Sequence, residues 1–248
     1  MQTEYPFQIH RANDYEALSA AAAAHIAAQL RRKPDSLLVL ATGASPERTY
    51  ALLAEQGRAD RSLCGRMRIL KLDEWGGLAI DDPATCETAL RRALVDPLGI
   101  SADRFMGWQS DPADTTAECG RIRRLLAGEG PADLCILGLG LNGHLGFNEP
   151  ADFFQPMPHR AELSPESMTH SMLARARRQP RFGLTLGIRD ILLSREVLLL
   201  VSGARKQAQL QRLLRPEVSP QFPASCLWLH PALTIYCDAA AWPGPSAW

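Results

Sequence analysis

Hydrophobic and polar positions along the chain follow two periods in turn, and the alternation predicts helices and strands in succession. Residues 14–32 are alanine-rich with spaced leucines and end in charge, which predicts a helix. The apolar run 36–41 lies between Pro34 and Thr42-Gly43, as a buried strand feeding a turn does. Pro46 then suits the first turn of a helix reaching about Glu55. Residues 67–72 predict a second strand, with Asp73 and Glu74 at its carboxyl end. Helical segments follow near 85–96 and 114–127, and a third strand at 134–137 opens into a glycine-rich loop. A strand at 197–201, a helix at 204–214 and a strand at 233–237 complete the series.

Strands alternating with helices imply an α/β fold. The expected form is a single domain over 1–248: a mostly parallel, doubly wound, Rossmann-like sheet with helices on both faces. Residues 150–182 are proline-rich without a clean period and predict a long, partly helical excursion able to cover a site. The tail 239–248, with Pro243, Gly244 and Pro245, predicts a loose end.

Composition narrows the function. The 248 residues are 46% hydrophobic and 22% charged, and 27 basic residues balance 27 acidic ones. A net charge of zero argues against a nucleic-acid or membrane-surface partner, which an excess of positive charge would favour. None of the six cysteines forms a CxxC pair, so buried free thiols are expected rather than a metal site or a redox pair. Residues 1–6 lack a basic-then-apolar leader, and no apolar run approaches the ~20 residues of a membrane helix. The expected location is cytoplasmic.

Three polar clusters fall at predicted strand ends, where open α/β sheets bind ligands. Thr42-Gly43-Ala44-Ser45-Pro46 joins a strand to a helix, which suits either an anion cradle or an ordinary turn with Ser45 as helix cap. Asp73-Glu74-Trp75 places two carboxylates together, costly to bury unless paired, so that one is a candidate proton-transfer group. The run from Gly138 to Pro150 has four glycines in nine positions and delivers Asn142, His144 and Glu149, an imidazole and a carboxylate beside an amide. Its Gly138-x-Gly140-x-x-Gly143 spelling also matches a dinucleotide-binding pattern. That reading requires the loop to open a helix, which Pro150 opposes, and an acidic residue on a following strand, for which no strand is apparent.

Together these runs resemble the glucosamine-6-phosphate deaminase family. Further agreement lies in Leu184-Thr185-Leu186-Gly187 and in Ser202-Gly203-Ala204-Arg205-Lys206, so the resemblance extends over about residues 35–237. The galactosamine-6-phosphate isomerase (deaminating) branch is closest, sharing Asp73-Glu74-Trp75, Thr85-Cys86-Glu87-Thr88, Asn142-Gly143-His144 and Leu227-Trp228-Leu229-His230. The related 6-phosphogluconolactonases carry a Ser-Leu-Phe-Pro type of sequence after the histidine, where this chain has Phe147-Asn148-Glu149-Pro150.

The resemblance implies deaminating isomerisation of a 2-amino-2-deoxyhexose 6-phosphate, galactosamine favoured over glucosamine, with no cofactor and no metal. Its alternatives are a lactone hydrolase and a non-catalytic sugar-phosphate sensor on the same fold. It implies that His144, oriented by Glu149 and Asn142, assists ring opening, and that Asp73 carries a proton from C2 to C1. Thr42, Gly43, Ala44, Ser45, Gly143 and Lys206 would bind the substrate and its phosphate. Self-association into a homo-oligomer is left open. Two departures stand out. Asn142 replaces the aspartate of the glucosamine enzymes, and Met172-Leu173 stand where their phosphate-binding arginine falls, with His170, Arg175 and Arg177 as nearby candidates.

Overall fold

A computed structural model describes residues 5–244. Its ten strands are β1 (Gln8–Ala12), β2 (Leu37–Leu40), β3 (Arg68–Lys71), β4 (Asp73–Gly76), β5 (Phe105–Met106), β6 (Leu134–Gly138), β7 (His159–Ala161), β8 (Phe182–Thr185), β9 (Val197–Val201) and β10 (Leu233–Asp238). Seven of them form one sheet in the order β1-β10-β9-β6-β2-β3-β5, every neighbouring pair parallel.

The period-2 geometry of a strand explains why the central segments read as unbroken apolar runs. Leu37, Val39, Cys135, Leu137, Val197 and Leu199 enter one core, while Leu38, Leu40, Leu134, Ile136, Leu198 and Leu200 enter the other. Helices Tyr15–Arg32 and Ala44–Ala59 supply Leu18, Ile26, Tyr50 and Leu53 to the second core. Helices Thr115–Glu129 and Gln207–Leu213 supply Ile122, Leu210 and Leu213 to the first. The sheet is therefore covered on both faces, as the alternation predicts.

Several elements differ from the sequence reading. β4 is not a loop after β3 but the start of a second, antiparallel sheet, β4-β8-β7. Leu184 and Leu186, in and just beyond β8, share the first core, so the two sheets pack as one body. The expected helix at 85–96 is Cys86–Leu90 followed by a wide π turn, Arg91–Val95. The helix expected at 204–214 opens as a tight 3-10 turn, Ala204–Lys206. The excursion 150–182 holds β7, the short helix Pro165–Met168 and the turn Ser171–Arg175 before β8 begins. In the tail, Ala241 is buried and Trp242 stacks under the Arg11 guanidinium; residues 245–248 and 1–4 lie outside the described part.

Chain order positions the site. From β2 the sheet grows outward through β3 and β5, then the chain returns to the opposite side of β2 with β6 and continues through β9. The reversal leaves a crevice beyond the carboxyl ends of β2 and β6.

Candidate active site

The turns after β2, β3, β6 and β9 meet over that crevice around a cavity of about 280 Å³, which the segment 166–172 roofs on one side. One end is built for an anion. Gly43 caps helix Ala44–Ala59 with a φ of 109°, a conformation that strains any residue with a Cβ, and no side chain bonds the first-turn amides from this cap. Ser45 is not the cap; it lies within the first turn, its hydroxyl 3.1 Å from that of Ser202. The helix dipole adds to the amides' attraction for negative charge. Lys206 and Arg205 line the same end. Burial first, then the neighbouring Arg205, pushes the Lys206 ammonium down to about 8, the position of a cation that lacks a nearby carboxylate.

His170 faces this end too. Its Nδ1 accepts the Met172 amide at 3.3 Å, leaving Nε2–H toward Gly43, where a Cβ would sit 3.3 Å from Nε2. Burial, then His144 and Lys206, push its imidazole down to about 4, so it is a neutral donor near pH 7. Of the other two candidates for the missing arginine, Arg177 pairs with Asp81 at 3.1 Å, and Arg175 lines an adjoining groove that also reaches Thr42, Gly43 and Ala44.

At the other end, strand alternation separates the two adjacent carboxylates. Glu74 is fully buried and spent on structure: it binds Lys71 Nζ at 2.9 Å and accepts the amides of Trp75, Cys86 and Glu87 at 2.9, 2.8 and 2.9 Å. Asp73 instead lines the cavity, only 8% exposed. Burial, then the charge of Glu74, pushes its carboxyl up to about 7, against the smaller pull of the Cys86 thiol and Lys71. A carboxyl poised there can both take and return a proton near neutrality.

The loop after β6 brings the imidazole. It opens no helix, which removes the dinucleotide reading; instead it turns back on itself, with Gly140 N–H donating to the His144 carbonyl at 3.0 Å. Gly140 is required here, because a Cβ would lie 2.3 Å from the His144 ring. His144 Nδ1 stands 3.3 Å from Glu149 Oε2. Burial raises the Glu149 carboxyl, but the His144 contact, the Ser167 hydroxyl and the Asn142 amide outweigh it and hold the group down at about 2. Asn142 donates to Glu149 Oε2 at 2.8 Å while its own oxygen accepts the His144 backbone N–H at 3.1 Å. It therefore reaches the ring through Glu149 and not directly.

Among the expected substrate-binding residues, Thr42, Gly43, Ala44, Ser45 and Lys206 line the cavity with Asp73 and His144. Gly143 does not. It turns behind the loop at a φ of 89°, its amide bonded to the Gly140 carbonyl and its α-carbon pressed against Phe222. Sequence reasoning missed Ser167, whose hydroxyl bonds Glu149 and lies 3.4 Å from His144 Nδ1. The Ser164-Pro165 pair was an available signal, a helix cap followed by proline at the first helical position. Among the described residues no cluster of three or more His, Cys, Asp or Glu side chains is placed to hold a metal ion.

Residues 12–235 match the family described as glucosamine-6-phosphate isomerases/6-phosphogluconolactonase. A protein of Escherichia coli (strain K12) provisionally named deaminase AgaI is 43% identical over 227 residues, covering 91% of this chain and 90% of its own. Glucosamine-6-phosphate deaminase of Rhodopirellula baltica is 37% identical, with 92% of each chain covered. A solved monomeric glucosamine-6-phosphate deaminase superposes with a TM-score of 0.88 at 33% identity, covering 95% of this chain and 98% of that one. The 6-phosphogluconolactonase of Trypanosoma brucei superposes at 0.76 with 18% identity and shares the fold.

Proposed function

The chain belongs to the glucosamine-6-phosphate isomerase/6-phosphogluconolactonase family, and we propose that within it the protein is a deaminating aldose–ketose isomerase acting on a 2-amino-2-deoxyhexose 6-phosphate. The observation that carries this reading is a cavity-lining Asp73 pushed up to about 7 in the same cavity as a His144 clamped to Glu149. Hydrolysis of a lactone needs one activated water. Moving hydrogen between two adjacent carbons needs a second group that accepts and returns a proton, and Asp73 has the burial and charge for that task.

The phosphate docks on the Gly43–Ser45 turn with Lys206, and His170 donates in place of the missing arginine, so that binding at the remote end fixes the reacting one. His144 moves a proton at the ring oxygen and opens the sugar. Asp73 takes the C2 proton, leaving an enolamine, and returns it to C1. The resulting C2 imine adds water, expels ammonia and leaves the ketose 6-phosphate. The galactosamine epimer is favoured because Asp73-Glu74-Trp75, Thr85-Cys86-Glu87-Thr88 and Asn142 follow that branch. A cytoplasmic setting without nucleic-acid or membrane partners goes with this reading; balanced charge supports it, and no helix among the described residues is long and apolar enough to cross a membrane.

A coupled ammonia assay on both epimeric hexosamine 6-phosphates tests the proposal. Ammonia and ketose phosphate should appear in equal amounts, faster from the galactosamine epimer. Tight binding of either sugar phosphate without ammonia release would favour a sensing role instead.

A further inference from the structure

The base of the proposed reaction touches a side chain that the mechanism does not use. Cys86 begins the short helix Cys86–Leu90 and lines the cavity between the anion turn and the carboxylate. Its sulfur accepts the Thr42 hydroxyl at 3.1 Å and lies 3.6 Å from Asp73 Oδ1. Because Thr42 already donates to the sulfur, the single thiol proton is free to point at Asp73, which as a carboxylate only accepts. The backbone of Cys86 is anchored separately, its amide donating to buried Glu74 at 2.8 Å, so the backbone position does not depend on the thiol.

We propose that Cys86 is a positioning residue for Asp73: a neutral thiol, fixed by Thr42 and by the Glu74-bound helix start, that donates to Oδ1 and orients the carboxylate. The inference rests on the reading of Asp73 as the base. Burial, then the charges of Glu74 and Asp73, pushes the Cys86 thiol well above its ordinary range, so it stays protonated and can donate throughout the working pH range. The carboxylate has few other donors. Glu74 beside it on β4 is negative, and Lys71 of β3 is committed to Glu74, Glu87 and the Trp108 carbonyl. Thr185, paired with Asp73 across β8, gives its proton to the Leu186 carbonyl and accepts the Phe147 amide. Tyr50 of helix Ala44–Ala59, close enough to feel the Asp73 charge, gives its proton to the Ala41 carbonyl. From the loop after β6, Gly146 presents no side chain on the Oδ2 side, where a Cβ would lie 3.3 Å away, and His144 is engaged by Glu149. The same thiol joins the turn that would hold the phosphate to the group that would move the proton.

The experiment compares wild type with Cys86→Ala and Cys86→Ser by following the Asp73 side-chain carbon in ¹³C NMR across pH, the signal being assigned by its absence in Asp73→Asn. No turnover is required, so the result stands whether or not the chain proves to be a deaminase. Losing the donor in Cys86→Ala should raise the Asp73 midpoint by about half a unit to one unit, the scale of one weak bond to a charged group. Cys86→Ser, which keeps a donor, should return it toward the wild-type value. If hexosamine 6-phosphates are turned over, the acid limb of kcat/KM should move in parallel while KM at high pH stays nearly constant. An Asp73 midpoint in Cys86→Ala that coincides with wild type, or a serine variant displaced as far as the alanine one, would overturn the assignment.

Discussion

Asp73 and Glu74 are neighbours of the same chemical type, yet their environments give them different work. Glu74 meets a buried lysine and three backbone amides; Asp73 meets a cavity, a thiol and the negative charge of Glu74. The folded state raises the Asp73 carboxyl from 3.8 to about 7, so between those values it keeps a proton that the unfolded chain releases. Stability therefore falls as pH rises through that window, by at most about 4 kcal/mol at 1.36 kcal/mol per unit. Asp73→Asn removes the cost, and its melting temperature should exceed that of wild type at pH 8 while the two nearly coincide at pH 4; an equal gap at both would contradict a strained carboxylate. Asn142 is the second informative residue. An aspartate there would place a carboxylate 2.8 Å from Glu149 Oε2, and the two would share a proton until pH rises enough to remove it. Beyond that point the added charge favours imidazolium, so the alkaline limb of kcat/KM in Asn142→Asp should move upward. A pH–rate profile superimposable on wild type would take Asn142 out of the relay.

At the level of elements, the central strands of the parallel sheet were legible because both of their faces are apolar: 36–41, 67–72 and 134–137 are runs that a buried strand explains, whereas the edge strands were not, β1 being largely exposed and β5 only two residues long. β4, β7 and β8 were not legible. Asp73-Glu74-Trp75-Gly76 has the composition of a loop, and what makes it a strand is pairing with Phe182–Thr185, more than a hundred residues away. Lys71 was equally hidden, since a lysine in an apolar run reads as a solvated end, whereas here it lies 1% exposed among Glu74, Glu87 and the Trp108 carbonyl. That cluster ties β3 to β4 and to helix Cys86–Leu90. Lys71→Met would leave the fully buried Glu74 without its cation, Glu87 keeping Arg91 at 2.7 Å, and should cost about 3 kcal/mol or more in urea denaturation. A loss under about 1 kcal/mol would mean that the anchor is held by the amides alone.

For the whole molecule, the parallel core and the order of its chemistry were readable because Thr42–Ser45, Asp73, His144 and Lys206 each follow a strand whose apolar run announces it. The roof of the cavity was less readable. Ser167 and His170 sit in a stretch without period, and their roles come from tertiary contact with Glu149 and with the Gly43 turn. The assembled site sets the ends of β3, β2, β6 and β9 around one crevice, with the anion turn after β2 lying between β3, which leads to Asp73, and β6, which leads to the His144 loop. At the centre of the proposed reaction, Asp73 removes the C2 hydrogen of a hexosamine 6-phosphate. The direct measurement is loss of that hydrogen to deuterated solvent, followed by proton NMR in wild type and in Asp73→Asn, with sugar-phosphate binding confirmed for both. Exchange is expected in wild type and none above background in the variant, with binding retained; exchange by Asp73→Asn at a rate near wild type would contradict the role of Asp73 as the base.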